Sequence, residues 1–329
     1  MVYQPQESLL VSISIAPVSA CRLCNSLFAQ SWISKDAKSA EKLPMALCQT
    51  CGLVQQVNLP TDEELSIYYS NNYREDYKGT HKPKLKYVHR AGKTAKERLG
   101  FIERAGINSS RNRLLDIGAG GGEFCYTAEK AGFLAQGIEP HRGYSEFARD
   151  EYGVDIRTDE IAELENEQAD VVTMFHVFEH LAHPTSVMRK VWEVLSLQGH
   201  LVIEVPNIHQ ANTSPHNIYF KAHLFYYSRF SLMAAASQFF ELVHVEDKGN
   251  LLMAFRKRAV PLHDIVMPSS AQIKFTQTRL RQKGWGEYLF AGGGLLKPVA
   301  RIKRIIDESC LNRSRPKDIL DQVWMSSRS

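Results

Sequence analysis

Residues 113–124 read RLLDIGAGGGEF, and this stretch decides the fold because a short apolar strand leads directly into a glycine-rich turn and a helix. Glycines at such a turn let the backbone approach a ligand closely, and the first N–H groups of the helix remain available to bind it. Further strands are predicted at 133–138, 170–175 and 200–205, and helices at 122–131, 142–152 and 185–196. Strands that alternate with helices of this length predict βαβ units and a parallel sheet.

The flanking sequence adds elements on both sides of this pattern. Two strands at 241–246 and 250–256 enclose a turn-like spacer and are predicted to form an antiparallel hairpin. Apolar residues recur at steps of three and four between Leu85 and Ile102, which predicts an amphipathic helix. From Ala259 to Ser329 the pattern is helical and basic, with 12 Lys and Arg against 6 Asp and Glu.

Length and composition exclude several classes of protein. A chain of 329 residues argues for about two domains, and 44% hydrophobic with 23% charged residues is typical of a soluble globular protein. Its apolar runs are too short to cross a bilayer, and a net charge of +4 does not require a nucleic-acid partner. Residues 1–20 hold no Lys or Arg, so the basic start of a signal peptide is missing and we expect a cytoplasmic protein.

Four of the six cysteines form two matched pairs, Cys21-x-x-Cys24 and Cys48-x-x-Cys51. Each pair can place two thiolates on one metal ion, and two such pairs complete a tetrahedron. Because protein would fill all four positions, the predicted zinc ion is structural. Iron in a four-cysteine cage is the lesser alternative, and four unligated cysteines are the other.

Three carboxylates near the glycine-rich turn restrict the ligand. Glu123 occupies the position of the third glycine of a dinucleotide fold, where its charge would repel a pyrophosphate. Asp116 suits a ligand with an amino group or a positive centre, and Glu139 is placed to accept hydrogen bonds from two ribose hydroxyls. S-adenosylmethionine has a ribose and a positive centre and carries no phosphate, so it fits these three carboxylates.

The chain here resembles class I S-adenosylmethionine-dependent methyltransferases. The resemblance rests on LLDIGAGGGEF, GIEP, DVVTMFHVFEHLAHP and LSLQGHLVIEVPN, in this order between Arg113 and Arg258. It implies an α/β fold with a Rossmann-like seven-stranded sheet. It also implies that the cofactor is held by Asp116, Gly118, Gly120, Gly122, Glu139, Asp159, Phe175 and His176. A core aromatic is the alternative interpretation of Phe175.

A zinc-binding module, a tyrosine-rich segment and this catalytic domain together resemble nucleotide-sugar C-methyltransferases and their relatives in glycan and natural-product pathways. The family's loop reads Tyr-His-Glu-His-Leu-x-Tyr-Phe-Ser, and residues 220–228 here read FKAHLFYYS. Phe220, Lys221 and Ala222 replace the first three residues, so only the second histidine remains, as His223. O-methylation of a sugar or related hydroxyl needs only a base within reach and an acceptor held in line with the methyl group.

His223 and His180 are the candidate bases, and a scaffold role is the alternative for each. If His223 is the base, activity is expected to rise with pH through about 6.5, the ordinary imidazole pKa. The resemblance also places Tyr69, Tyr73 and Tyr219 near the substrate, with a half-buried aromatic face as the alternative for the first two.

Three domains are predicted: a zinc ribbon at 1–62, the methyltransferase domain at 63–258, and a helical basic extension at 259–329. Within the second domain, 63–110 is predicted to form an aromatic lid and the leading helix. Removal of the metal is expected to unfold the first 60 residues and to leave the catalytic domain folded.

The predicted function is methyl transfer to a sugar, nucleotide-sugar or related acceptor, with S-adenosylmethionine as cofactor and zinc as a structural ion. An RNA methyltransferase that grips nucleic acid with its zinc ribbon is the first alternative, which the basic tail favours. Against it, residues 175–178 read Phe-His-Val-Phe where a base-clamping enzyme has Asn/Asp-Pro-Pro-aromatic. An assembly subunit that has lost catalysis is the second alternative. We expect a small-molecule partner, no nucleic acid and no transmembrane segment, and the oligomeric state stays open.

Overall fold

The structure is a computed structural model that describes residues 20–28, 30–61, 63–64, 83–166, 169–309 and 314–326. Within these ranges the strands are β1 (Gln30–Lys35), β2 (Lys42–Leu47), β3 (Val54–Gln56), β4 (Arg113–Ile117), β5 (Leu134–Ile138), β6 (Asp155–Arg157), β7 (Ala169–Phe175), β8 (Leu195–Val205), β9 (Phe225–Tyr226), β10 (Phe240–Glu246) and β11 (Leu251–Lys257). The α-helices are α1 (Leu85–Arg104), α2 (Glu123–Lys130), α3 (Arg142–Tyr152), α4 (Pro184–Val194), α5 (Arg229–Ala236), α6 (Ser270–Gln282), α7 (Lys297–Ser309) and α8 (Pro316–Met325). Tyr69, Tyr73 and most of the predicted aromatic lid lie outside the described residues.

A seven-stranded sheet forms the centre of the molecule, in the order β10-β11-β8-β7-β4-β5-β6. Strands β6, β5, β4, β7 and β8 are parallel, while β11 and β10 complete the sheet in antiparallel orientation. The predicted α/β fold with a seven-stranded, mostly parallel sheet is therefore confirmed. The chain proceeds from β4 to β5 and β6 on one side and to β7 and β8 on the other, so the strand order reverses between β4 and β7. Ligands of open α/β sheets bind at such a reversal, outside the carboxyl ends of the strands.

The two central strands show why this sheet forms. Six of the seven residues of β7 and four of the five of β4 are buried, because helices cover both faces of the sheet.

The predicted amphipathic helix is α1, which buries Val88, Ala95, Leu99 and Ile102. The basic tail returns to this helix, since α8 buries Ile319 and Leu320 and the Lys96 ammonium of α1 donates to the carbonyl of Val323. Among the described residues, no helix is long and apolar enough to span a membrane.

The cysteine-bearing region forms a second, antiparallel sheet in the order β1-β2-β3-β9. Its last strand comes from the catalytic region: Val54 pairs with Tyr226 and Gln55 pairs with Phe225. Cys21, Cys48 and Cys51 are buried in one continuous core with the apolar residues that cover the central sheet. Residues on the two sides of the boundary predicted at 62 thus share one sheet and one core. For this reason we no longer expect metal removal to affect the first 60 residues alone.

Candidate active site

The glycine-rich turn lies between β4 and α2 and has a backbone that requires glycine. Gly118, Gly120 and Gly122 have φ angles of 74°, 58° and 80°, in the left-handed region that side chains rarely adopt. A Cβ on Gly118 would lie 2.5 Å from Cγ2 of Val177, and one on Gly122 would lie 2.7 Å from the Cβ of Ala148. The turn therefore has both the conformation and the close packing that only glycine permits.

Two buried carboxylates flank this turn. The amide N–H of Gly120 donates to Oε2 of Glu139 at 2.9 Å, and that of His141 donates to Oε1 at 3.1 Å. Asp116 accepts from the hydroxyl of Thr173 at 2.6 Å, and burial raises the pKa of Asp116 to about 7. Five predicted cofactor residues, namely Asp116, Gly118, Gly120, Gly122 and Glu139, thus lie at or just beyond the carboxyl ends of the adjacent strands β4 and β5.

His176 follows β7 with a φ of 56°, an unusual conformation for a residue with a side chain. Its Nδ1 lies 3.4 Å from Oε1 of Glu179, and its Nε2 lies 3.3 Å from Oε1 of Glu204. Burial lowers the pKa of His176, but the two carboxylates outweigh this effect and raise it to about 9. The guanidinium of Arg98 pairs with the other oxygen of Glu204 at 2.6 Å. Charges of alternating sign thus form a network at the strand reversal. The backbone of His176 is strained, as it often is at functional sites.

This ionic network is the part of the site that sequence reasoning missed. Glu204 lies within the apolar strand 200–205 and Arg98 within an amphipathic helix, 106 residues earlier in the chain. The available signal was a charged residue inside a buried strand, since a buried charge needs a partner. Nothing in the sequence indicates that Arg98 is the partner of Glu204.

Phe175 and Asp159, two further predicted cofactor residues, have other contacts. The ring of Phe175 packs edge-on against Phe124 at 4.7 Å, and the guanidinium of Arg98 lies 4.1 Å from its centroid. These contacts favour the core interpretation of Phe175. Asp159 follows β6, where it pairs with Arg157 at 3.2 Å.

Both candidate bases belong to one cluster with Glu179. The rings of His180 and His223 meet edge to face at 4.8 Å, and Nδ1 of His180 donates to the carbonyl of Ala222 at 2.8 Å. One ligand atom from each of Glu179, His180 and His223 lies within 4.8 Å of the others, a donor set that could also hold a divalent cation. Burial lowers the pKa of His223 to about 3, so its ring is neutral at physiological pH. This changes the expected pH profile, because the rise near pH 6.5 has no source in His223.

A cavity of about 200 Å³ lies beside His223. Its wall includes Asn250 and Lys283. The other lining residues belong to the β8–β9 connection and to β9: Pro206, Asn207, Ile208, Gln210, Thr213, Asn217, Ile218, Phe220, His223 and Tyr226. The amide of Asn250 donates to Oε1 of Glu204 at 2.7 Å and lies 3.1 Å from Nε2 of His176. The cavity therefore adjoins the ionic network at the strand reversal. Tyr219, a predicted substrate residue, is buried between Trp32 and Tyr226 and does not line this cavity.

The loop that carries His223 is held by the cysteine-bearing sheet. The amide of Gln56 donates to the carbonyls of Lys221 and His223, each at 2.8 Å. The carboxylate of Asp36 accepts from the N–H of Lys221 at 2.6 Å. Both side chains are buried, and neither lies in a sequence motif. Gln56 and Asp36 are thus two further residues that sequence reasoning missed.

The four paired cysteines converge to one point. Sγ of Cys21 lies 3.5 Å from that of Cys51, and Sγ of Cys24 lies 3.4 Å from that of Cys48, with all four within 4.8 Å of one another. The four thiols are free rather than joined in disulfides. A zinc–sulfur distance of about 2.3 Å gives tetrahedral edges of roughly 3.8 Å, so the donor set and its size fit a four-coordinate metal.

Comparison with known proteins finds similarity over part of the chain. Residues 87–245 match a family model described as a methyltransferase domain. Ubiquinone biosynthesis O-methyltransferases of Bordetella bronchiseptica and Bordetella parapertussis are 35% identical over 100 residues, which cover 28% of this chain and 42% of each relative. The chain thus spans less than half the length of these curated relatives.

Solved structures with similar folds include two methyltransferases. An S-adenosylmethionine-dependent methyltransferase from Mesorhizobium loti has 15% identity and a TM-score of 0.41, covering 47% of this chain and 95% of that one. Magnesium protoporphyrin IX methyltransferase from Synechocystis, with bound SAH, has 13% identity and a TM-score of 0.45, covering 60% of this chain and 100% of that one.

We expect Glu204→Gln to lower the pKa of His176 from about 9, because the amide removes one of the two carboxylates that hold the imidazolium. NMR titration of the histidine ring resonances measures this change. The resonances of His263, whose side chain is almost fully exposed, serve as the internal reference. A pKa of His176 that the substitution leaves unmoved would contradict the ionic network.

Proposed function

We propose that this chain transfers the methyl group of S-adenosylmethionine to a hydroxyl of a sugar, nucleotide-sugar or related small molecule in the cytoplasm, since residues 87–245 match a family model described as a methyltransferase domain. The observation that carries the proposal is the glycine-rich turn with Glu139 fixed beside it, at the reversal of the strand order. The O-methylation named for the Bordetella relatives supports oxygen as the accepting atom.

The residues of the turn fit the proposed cofactor. Gly118, Gly120 and Gly122 hold the turn in a left-handed backbone conformation, and Glu139 is anchored by two N–H groups so that it can accept hydrogen bonds from ribose hydroxyls. Glu123 is buried at the start of α2, where its charge disfavours the phosphates of a dinucleotide. Asp159 beside the adenine, and Phe175 and His176 beside the cofactor, remain part of the proposal.

His223 is the proposed general base. It lines the 200 Å³ cavity and is neutral, so it can take the proton of an acceptor hydroxyl held there. When bound at the glycine-rich turn and Glu139, the cofactor would supply an electrophilic methyl group for transfer to the acceptor oxygen. The carboxylate of Glu179, buried in the same cluster, stabilises the imidazolium that results, because opposite charges attract strongly in a dry site. His180, whose Nδ1 is held by the carbonyl of Ala222, is the second candidate base.

The proposal assigns a structural zinc ion to Cys21, Cys24, Cys48 and Cys51. The four thiols are converged and their separations suit a tetrahedral ion. The ion would brace the sheet whose strand β3 pairs with β9 and whose Gln56 holds the His223 loop. Zinc would then act on methyl transfer indirectly, through the position of the base.

Glu139→Ala is expected to weaken S-adenosylmethionine binding by about 1.5–3 kcal/mol, or roughly 10- to 150-fold in Kd, because ribose hydroxyls lose a charged partner. Isothermal titration calorimetry measures the affinity, with the exposed Glu165→Ala as the matched control. The absence of measurable affinity in the unsubstituted chain would contradict the proposed function, as would a preference for NAD.

His223→Asn is expected to lower kcat by about 10² or more while leaving cofactor affinity unchanged, since asparagine keeps polarity but cannot take the proton. Because the pKa of His223 is about 3, the rate is expected to stay level between about pH 5 and pH 8 as far as this residue is concerned. Rates on a panel of hydroxylated sugar and nucleotide-sugar acceptors measure this, with the exposed His263→Asn as control.

Near-normal turnover of the His223 variant would indicate that His180 is the general base, or that positioning of the acceptor alone suffices. Tight cofactor binding without turnover on any acceptor would favour the assembly-subunit alternative. Salt-dependent binding of RNA would favour the RNA methyltransferase alternative.

Fresh protein is expected to contain about one zinc ion per chain, and its removal is expected to increase hydrogen exchange in residues 220–226 as well as around the cysteines, because one sheet joins them. Metal analysis and exchange mass spectrometry measure both effects. Gln56→Leu, which keeps the metal ligands but removes the donors to the loop, is expected to loosen only residues 220–226; the exposed Gln49→Leu is the control. Well under one equivalent of zinc or iron would contradict the metal assignment.

A further inference from the structure

Helix α7 exposes an unusual amount of apolar surface. Val299 and Ile302 are 66% and 60% exposed, and Ile305 beside them is 56% exposed. Leu295 and Leu296, just ahead of the helix, and Phe290 extend the same apolar surface toward the preceding turn. Monomeric soluble proteins rarely leave such a contiguous apolar face uncovered, so the patch indicates a binding surface.

Helix α7 has a polar face and an apolar face, and both are exposed. At 100° per residue, Val299 and Ile302 share one face, while Arg301, Arg304 and Glu308 lie on the opposite one. The residues from 297 to 305 are all exposed. Glu308, near the end of the helix, is held by two hydrogen bonds from the guanidinium of Arg90 at 2.6 and 2.7 Å. The apolar face therefore lies uncovered beside an exposed basic face.

The charge of the segment indicates what covers this face. Helix α7 carries Lys297, Arg301, Lys303 and Arg304 against Asp307 and Glu308, within a tail of 12 basic and 6 acidic residues. A basic amphipathic helix that is too short and too polar to span a bilayer lies in the plane of an anionic membrane surface, with its apolar face among the acyl chains. We propose that α7 and the adjoining Phe290–Leu296 segment bind an anionic lipid membrane surface.

The position of the helix connects this surface to the candidate active site. Ala291 and Gly292, which precede α7, line a second cavity of about 530 Å³. That cavity shares Asn207 and Gln210 with the one beside His223. Lys297, the first residue of α7, donates to the carbonyl of Asn212 in the same wall. Membrane binding would thus bring the wall of the second cavity near the lipid surface, although the binding itself does not depend on the proposed methyl transfer.

Vesicle co-sedimentation of the full chain tests the proposal. We expect binding to vesicles of phosphatidylcholine with phosphatidylglycerol, weaker binding to phosphatidylcholine alone, and a loss of about tenfold or more in the double variant Val299→Glu, Ile302→Glu. Both side chains are exposed, so the variant is expected to keep the melting temperature of the unsubstituted protein. Val260→Glu, at a residue 75% exposed outside this patch, is the matched control and is expected to bind as before.

Three results would overturn the proposal. The first is an absence of binding to anionic vesicles, or binding by the double variant that is as strong as that of the unsubstituted protein. Another is competition by millimolar glycerol phosphate, which would indicate a site for a free phosphate rather than a lipid surface. The third is a dimer in sedimentation velocity that the double variant converts to monomer without any vesicle binding, because a second copy of the chain would then cover the face.

Discussion

The antiparallel pairing of β3 with β9 is the interaction on which the arrangement of the site depends. It is only two residues long, yet it joins the sheet that carries the cysteines to the loop that carries His223. The loop's carbonyl groups are turned inward, and a buried carbonyl must find a donor. Gln56 supplies that donor to two of them, so the position of the candidate base is determined by a side chain from the cysteine-bearing sheet.

The two histidines His176 and His223 differ in their electrostatic environment. His176 lies between two carboxylates, and Arg98 balances the second of them, so the buried charges are paired as a dry interior requires. His223 is buried against another imidazole instead, and desolvation keeps it neutral. One imidazole is therefore charged and the other neutral, although their ordinary pKa values are the same. A proton acceptor and a fixed cation can then coexist around one carboxylate, Glu179.

The described tail has two kinds of contact with the rest of the molecule. Helix α8 packs its apolar side chains on α1 and so closes the core on that side of the sheet. Helix α7 contacts α1 through an ion pair and leaves Val299, Ile302 and Ile305 exposed. The basic excess that the sequence shows over residues 259–329 lies mainly in α6, with three basic and no acidic residues, and in α7, with four basic and two acidic residues, whereas the packed helix α8 has one basic and two acidic residues.

The amino-acid sequence by itself determined the sheet and the site at its edge, because these depend on local spacing. Strand, turn and helix follow one another within a few residues, glycine favours the turn where φ is positive, and the cysteines of each pair are separated by only two residues. It did not determine what surrounds His223, whose pKa is lowered to about 3 by burial and by the neighbouring His180. Nor did it indicate that residues on the two sides of position 62 share one sheet, since the partner of β3 lies about 170 residues further along the chain. Only the tertiary structure decided these features, because burial, charge pairing and hydrogen bonds to loop carbonyls arise between residues whose separation in sequence carries no signal.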